Sequence, residues 1–198
     1  MITNRADSVM IMSTDMILED TVSEENRILQ TVIDNLRKPQ FATISEDIVV
    51  DYIFEYSKKL LSYAMTKHGS KEMAYAINLN TLDFIGAEFG TSKSVNIASL
   101  VDRIDDSECI FIVLHNHPSD GPFSARDLNT FFITPNMAVL MVIGNKGSIY
   151  TIEKTERELI DDNYMEIKKA LIAYRQKEVP FDETVKELEK YGIIYRSL

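Results

Sequence analysis

The sequence predicts an α+β fold: a mixed β-sheet flanked by helices, with extra helices at the N- and C-terminal ends. Three observations carry this. The apolar run Cys109-Ile110-Phe111-Ile112-Val113-Leu114 reads as a buried strand. Residues 137–143 and 149–152 flank Asn145-Lys146-Gly147, a strong hairpin signal. Apolar residues recur at helical spacing before, between and after these strands, and strands mixed with helices in this way suit a sheet with helices on its faces.

The elements follow in order. Residues 1–20 show no sustained period and read as a mobile N-terminal arm, or a strand docked elsewhere. Thr21-Val22-Ser23-Glu24 matches a capping box. Ile28, Leu29, Val32, Ile33 and Leu36 then repeat at helical spacing until Pro39, so 21–45 is expected to hold a helix and a linker. Ser45 reads as the next N-cap, with Ile48, Val49, Tyr52, Ile53, Tyr56 and Leu60 forming the apolar stripe of a helix to about residue 66. Lys67-His68-Gly69-Ser70 is a turn, and His68 is expected to be solvent-exposed. Two alternating runs around Asn78-Leu79-Asn80-Thr81 predict a hairpin. A short helix over 94–104 precedes the buried strand. A further helix over 124–133 follows it and is cut off by Pro135. One long helix is expected over 156–176, then a short one after Pro180 that Gly192 stops. The tail Ile193-Ile194-Tyr195 pairs as a strand or packs on the core. The domain boundaries read from this order are 46–153 for the main domain and 154–198 for a C-terminal helical extension.

Composition narrows the function. The 198 residues, 45% hydrophobic and 26% charged, are those of an ordinary globular chain. A net charge of −10 disfavours direct nucleic-acid binding, which needs a basic footprint. One cysteine, Cys109, makes no internal disulfide; it is expected to be buried and inert, in a cytoplasmic protein. No apolar run approaches the ~20 residues of a membrane span.

The chemistry concentrates in His115-Asn116-His117-Pro118-Ser119-Asp120-Gly121-Pro122-Phe123-Ser124-Ala125-Arg126-Asp127. Histidines two apart on a strand point to one side. Pro118, Gly121 and Pro122 force a loop, and Asp120 inside it reads as a turn former. Ser124-x-x-Asp127 opens the next helix and fits a capping box with Asp in place of Glu. A first-turn Asp can cap and still face a metal. His115, His117 and Asp127 can thus converge as three ligands for one zinc, leaving a fourth position for water, which is the catalytic rather than the structural arrangement.

H-x-H-P followed by S-x-x-D resembles the motif of the JAB/MPN (JAMM) metalloprotease superfamily, and His115-Asn116-His117-Pro118-Ser119 looks most like its RadC-like branch. The resemblance covers roughly residues 46–153. It implies a JAB/MPN-type sheet, zinc on His115, His117 and Asp127, and Ser124 helping to hold the transition state. It also implies an upstream glutamate that activates the water. Glu72, in Lys71-Glu72-Met73-Ala74-Tyr75, matches that glutamate best; Glu88, at the end of the second hairpin strand, is the alternative. Two departures are visible. The loop from His117 to Ser124 is one residue shorter than usual, and the last hairpin lacks the Asp-His pair that RadC-like proteins carry before it. The chain is therefore read as a relative rather than a RadC orthologue.

The implied function is zinc-dependent hydrolysis of a peptide or isopeptide bond, with a peptide or a ubiquitin-like protein as substrate. Two other classes stay open at this point: a non-catalytic JAB-type binding module, and a RadC-like accessory of DNA repair or mobile elements.

Overall fold

The apolar run after Cys109 forms β3 (Phe111–His117), and all seven of its residues are buried. This follows from the computed structural model, which describes residues 20–104 and 109–198; the predicted arm lies outside them except for Asp20. Strand β3 pairs antiparallel with β1 (Met73–Asn78) and parallel with β4 (Met137–Gly144). The full order is β2 (Phe84–Phe89), β1, β3, β4, β5 (Ile149–Lys154), β6 (Ile193–Ser197), with every other neighbouring pair antiparallel. The fold is α+β, built on a six-stranded mixed sheet.

Alternation along the central strands sends side chains to two cores. Ile112, Leu114, Met141 and Ile143 pack beneath α1 (Gln30–Asp34) and α2 (Asp47–Lys67). Phe111, Val113, Leu140 and Val142 face the other way. There they meet α3 (Ile97–Val101), α4 (Ala125–Ile133), α5 (Arg157–Asp162), α6 (Tyr164–Arg175) and α7 (Phe181–Glu189). Covering both faces with helices explains why β3 and β4 are apolar without alternation. His115 and His117 fall in step with Phe111 and Val113, so they point toward α4.

Several expectations are corrected. The helix expected after Thr21 is only a 3-10 turn (Glu24–Asn26) followed by the short α1. Its backbone groups are taken by distant partners instead. The Ile28 N–H donates to Ser70 Oγ at 3.0 Å, and the Asn26 carbonyl accepts from Asn145 Nδ2 at 2.8 Å. The predicted 156–176 helix is two helices. Asn163 interrupts it, donating from Nδ2 to the Leu159 carbonyl at 2.8 Å, and so competes with the backbone ladder. On α2 the buried face is Ile53, Ser57, Leu60, Leu61 and Ala64, whereas Ile48 is 71% exposed. His68 is half-buried rather than exposed: its Nε2 hydrogen-bonds the Gly90 carbonyl at 3.0 Å and its ring packs edge-on against Phe89. Cys109 is buried, as expected.

The tail forms β6 against β5, and Ile160, Ile167, Leu171, Leu188 and Ile193 share one core with the central strands. Residues 154–198 are thus packed into the same sheet and core as residues 73–154.

Candidate metal centre

Strand β3 ends with His115 and His117 on its α4 face, and the loop that follows returns Asp127 to them on the first turn of α4. The loop is shaped by Asp120, which adopts φ +56°. Its carboxylate accepts from the Lys146 N–H at 2.9 Å and from Ser148 Oγ at 2.7 Å, which fastens the loop to the β4–β5 turn. Asp120 is therefore a turn former and not a ligand. Helix α4 opens with a complete capping box. Ser124 Oγ accepts the Asp127 N–H at 3.2 Å, and Asp127 Oδ2 accepts the Ser124 N–H at 2.7 Å. The box fixes the carboxylate against the two rings.

The geometry is tight. The Nε2 atoms of His115 and His117 lie 3.0 Å apart, and each is 3.5–3.6 Å from an Asp127 oxygen. All three side chains are buried, and their ligand atoms fall within 4.8 Å of one another, so the cluster could hold a metal ion. The donor chemistry fits a cation. Two imidazole nitrogens this close cannot both present lone pairs to each other unless a proton or a cation lies between them. His117 Nδ1–H donates to the Gly121 carbonyl at 3.1 Å, which orients the ring and leaves Nε2 as the ligating atom.

Electrostatics agree with this. Burial pulls the His115 imidazole down despite the Asp127 carboxylate beside it. Burial also opposes charge on His117, but Asp127, Glu72 and the Gly121 carbonyl outweigh it and raise this group. Asp127 is desolvated, yet the two imidazoles hold its carboxyl well below the usual carboxylate range. His115 is thus biased toward its neutral form and His117 toward holding a proton, both facing a carboxylate that stays ionised.

Glu72 lies just ahead of β1 and shares a cavity of about 220 Å³ with His117, Ser124 and Asp127. It is 7% exposed. Burial pushes its carboxyl up to about 7; His117 opposes this, Asp127 adds to it, and a hydrogen bond from the Val95 backbone lowers it. Glu88 is placed elsewhere. It pairs with Arg103, which also donates to the Ala87 carbonyl, and it does not line the cavity.

The structure thus brings Glu72, His115, His117, Ser124 and Asp127 together and leaves Glu88 and His68 apart. It adds residues that sequence reasoning missed. Tyr174 on α6 lines the same cavity and donates from its hydroxyl to the Phe123 carbonyl at 2.9 Å. Lys93 and Arg126 also line it. Asn116 points to the opposite face and straddles Glu72. Its Oδ1 accepts the Met73 N–H at 2.9 Å, while its Nδ2 donates to the Lys71 carbonyl at 3.1 Å and to Asn145 Oδ1 at 2.8 Å. The signal for Asn116 was its place between two histidines on a buried strand; nothing local marked Tyr174.

Compared with models of protein families, with curated proteins and with solved structures, the chain has no match. Among the described residues, no helix is long and apolar enough to cross a membrane.

Proposed function

We propose that this protein is a zinc-dependent hydrolase of peptide or isopeptide bonds, with a JAB/MPN-type fold and a RadC-like motif. One observation carries the reading. Three buried residues bring their ligand atoms together, and two of them, His117 and Asp127, line a cavity that also holds the Glu72 carboxyl, which burial raises to about 7. Perturbed groups in a cavity are where acid–base chemistry is found.

His115, His117 and Asp127 would hold a zinc ion, which would supply a Lewis acid for the carbonyl and would lower the pKa of water from about 15.7 to about 7. Glu72 takes the water proton at its carboxylate and passes it to the leaving amine. Burial raises the Glu72 carboxyl in the metal-free protein, which makes it a stronger proton acceptor than an exposed glutamate. The Ser124 hydroxyl accepts the Asp127 N–H, which leaves its own proton to donate to the developing oxyanion. The Gly121 carbonyl keeps His117 in the tautomer with Nε2 free, and the Ser124 N–H donates to Asp127 Oδ2 and holds that carboxylate in place.

The experiment is a peptide-library cleavage screen of zinc-loaded wild type beside Glu72→Gln. Wild type should cleave; Glu72→Gln should keep zinc and lose cleavage by ~100-fold or more, the scale of a general-base deletion. Equal cleavage by the two proteins would remove Glu72 from the base role.

A further inference from the structure

We propose that the groove between α4 and α6 is a subsite for an acidic peptide segment, one that continues from the cavity at the metal centre. The groove holds about 540 Å³ and is rimmed by Arg126, Lys168 and Arg175 over a floor that includes Leu171 and Ile172. All three cations are exposed, and among the described residues none of them forms an ion pair. Arg126 only approaches Asn96 Oδ1, at 3.4 Å. Their neighbours behave differently: Lys169 pairs with Glu166 and Arg157 with Asp161. Three uncompensated cations around one groove run against a chain of net charge −10.

The groove and the cavity adjoin at Arg126. Arg126 lines both, and on α6 Tyr174 lines the cavity while Arg175 lines the groove. A chain crossing the metal centre can run over the first turn of α4 directly into it. The occupant is set by chemistry. Separated cations over an apolar floor match a peptide in which carboxylates alternate with apolar side chains. A nucleic-acid backbone needs a continuous basic stripe, and the overall negative charge repels it. Repulsion from the rest of the surface also makes attraction of an acidic segment a local property of this groove.

Naming the groove a substrate subsite rests on the hydrolase reading; its binding does not, so the two are tested separately. Binding is read by fluorescence anisotropy on the zinc-loaded full chain. The probes are labelled short peptides in which Leu alternates with Glu or with Lys, and a labelled oligothymidine. The Glu peptide should bind best and weaken as salt rises. The double variant Lys168→Glu/Arg175→Glu should weaken it by about tenfold or more, since opposite charges become like charges. The zinc content and melting temperature of that variant should match wild type, because both side chains are exposed and away from the ligands. Equal binding of the Glu and Lys peptides, tighter binding of the oligothymidine, or a double variant that binds like wild type would each overturn the proposal. The second readout is cleavage. Wild type should cut the Glu peptide faster than the Lys peptide, and the double variant should lose that preference while Glu72→Gln still binds. Binding without any cleavage would remove the subsite role and strike the hydrolase reading, not the groove.

Discussion

Ser124 Oγ accepts the Asp127 N–H and Ser124 lines the cavity, so on the proposed reading one atom serves both the helix and the reaction. Ser124→Ala should cost roughly 0.5–2 kcal/mol in denaturant unfolding, from the lost cap. It should also slow turnover by ~100-fold, from the lost oxyanion donor. Ser124→Asp separates the two roles, since it caps well but sets a negative charge beside the oxyanion; it should be stable and slow. A fully active Ser124→Asp protein would sink the oxyanion role. Glu72 makes a second prediction at this scale. Its carboxyl lies near 7 in the folded protein against an ordinary 4.5. With the folded value raised, the protonated form is favoured by the fold. That contribution is whole below about 4.5, shrinks as pH rises and is lost above about 7. In chelator-treated protein, wild type should therefore lose stability relative to Glu72→Gln across that window. A difference that stays flat with pH would contradict the burial of the charge.

At the scale of elements, two contacts hold the motif loop and the strand start in register. Gly144 at the end of β4 lies under Asp120, and an added Cβ would come within 2.9 Å of the Asp120 Cα as well as meeting its carboxylate. Gly144→Ala should destabilise the protein by about 1–3 kcal/mol, the range for overpacking, and should weaken metal affinity because the loop carries Ser124 toward the cluster. Asn116 ties β3 to both peptide groups flanking Glu72. Asn116→Asp removes the Nδ2 donor and leaves the Lys71 carbonyl and Asn145 Oδ1 without it, at a cost of roughly 1–3 kcal/mol in equilibrium unfolding. A variant as stable as wild type would show that this network is not what places Glu72. Elements legible in the sequence were those whose signals are local. The α4 start was marked by Ser124 and Asp127, the β4–β5 turn by Asn145-Lys146-Gly147 with Gly147 at φ +101°, and the β1–β2 hairpin by its alternation. The N-terminal helix failed because Ser70 and Asn145, far along the chain, take its backbone groups. The long C-terminal helix failed because one asparagine side chain outcompetes the ladder at residue 163.

For the whole molecule, the three candidate ligands were legible because period-two alternation and a capping box are local rules. Their convergence needed the parallel β3–α4–β4 crossover, which folds the helix start back onto the strand end. The cavity wall was not legible, since Tyr174 reaches it from α6 and Lys93 from the loop after β2. Nor was the cationic groove, whose members lie on two helices separated in the chain by β4, β5 and α5. The central claim concerns the cluster itself, and zinc stoichiometry tests it most directly. Elemental analysis after zinc loading and exhaustive dialysis should find about one zinc per wild-type chain, as a three-ligand open site requires. It should find essentially none in His117→Ala, whose fold is checked by circular dichroism. Equal zinc in folded His117→Ala and wild type, or a wild-type chain that retains none, would contradict the account.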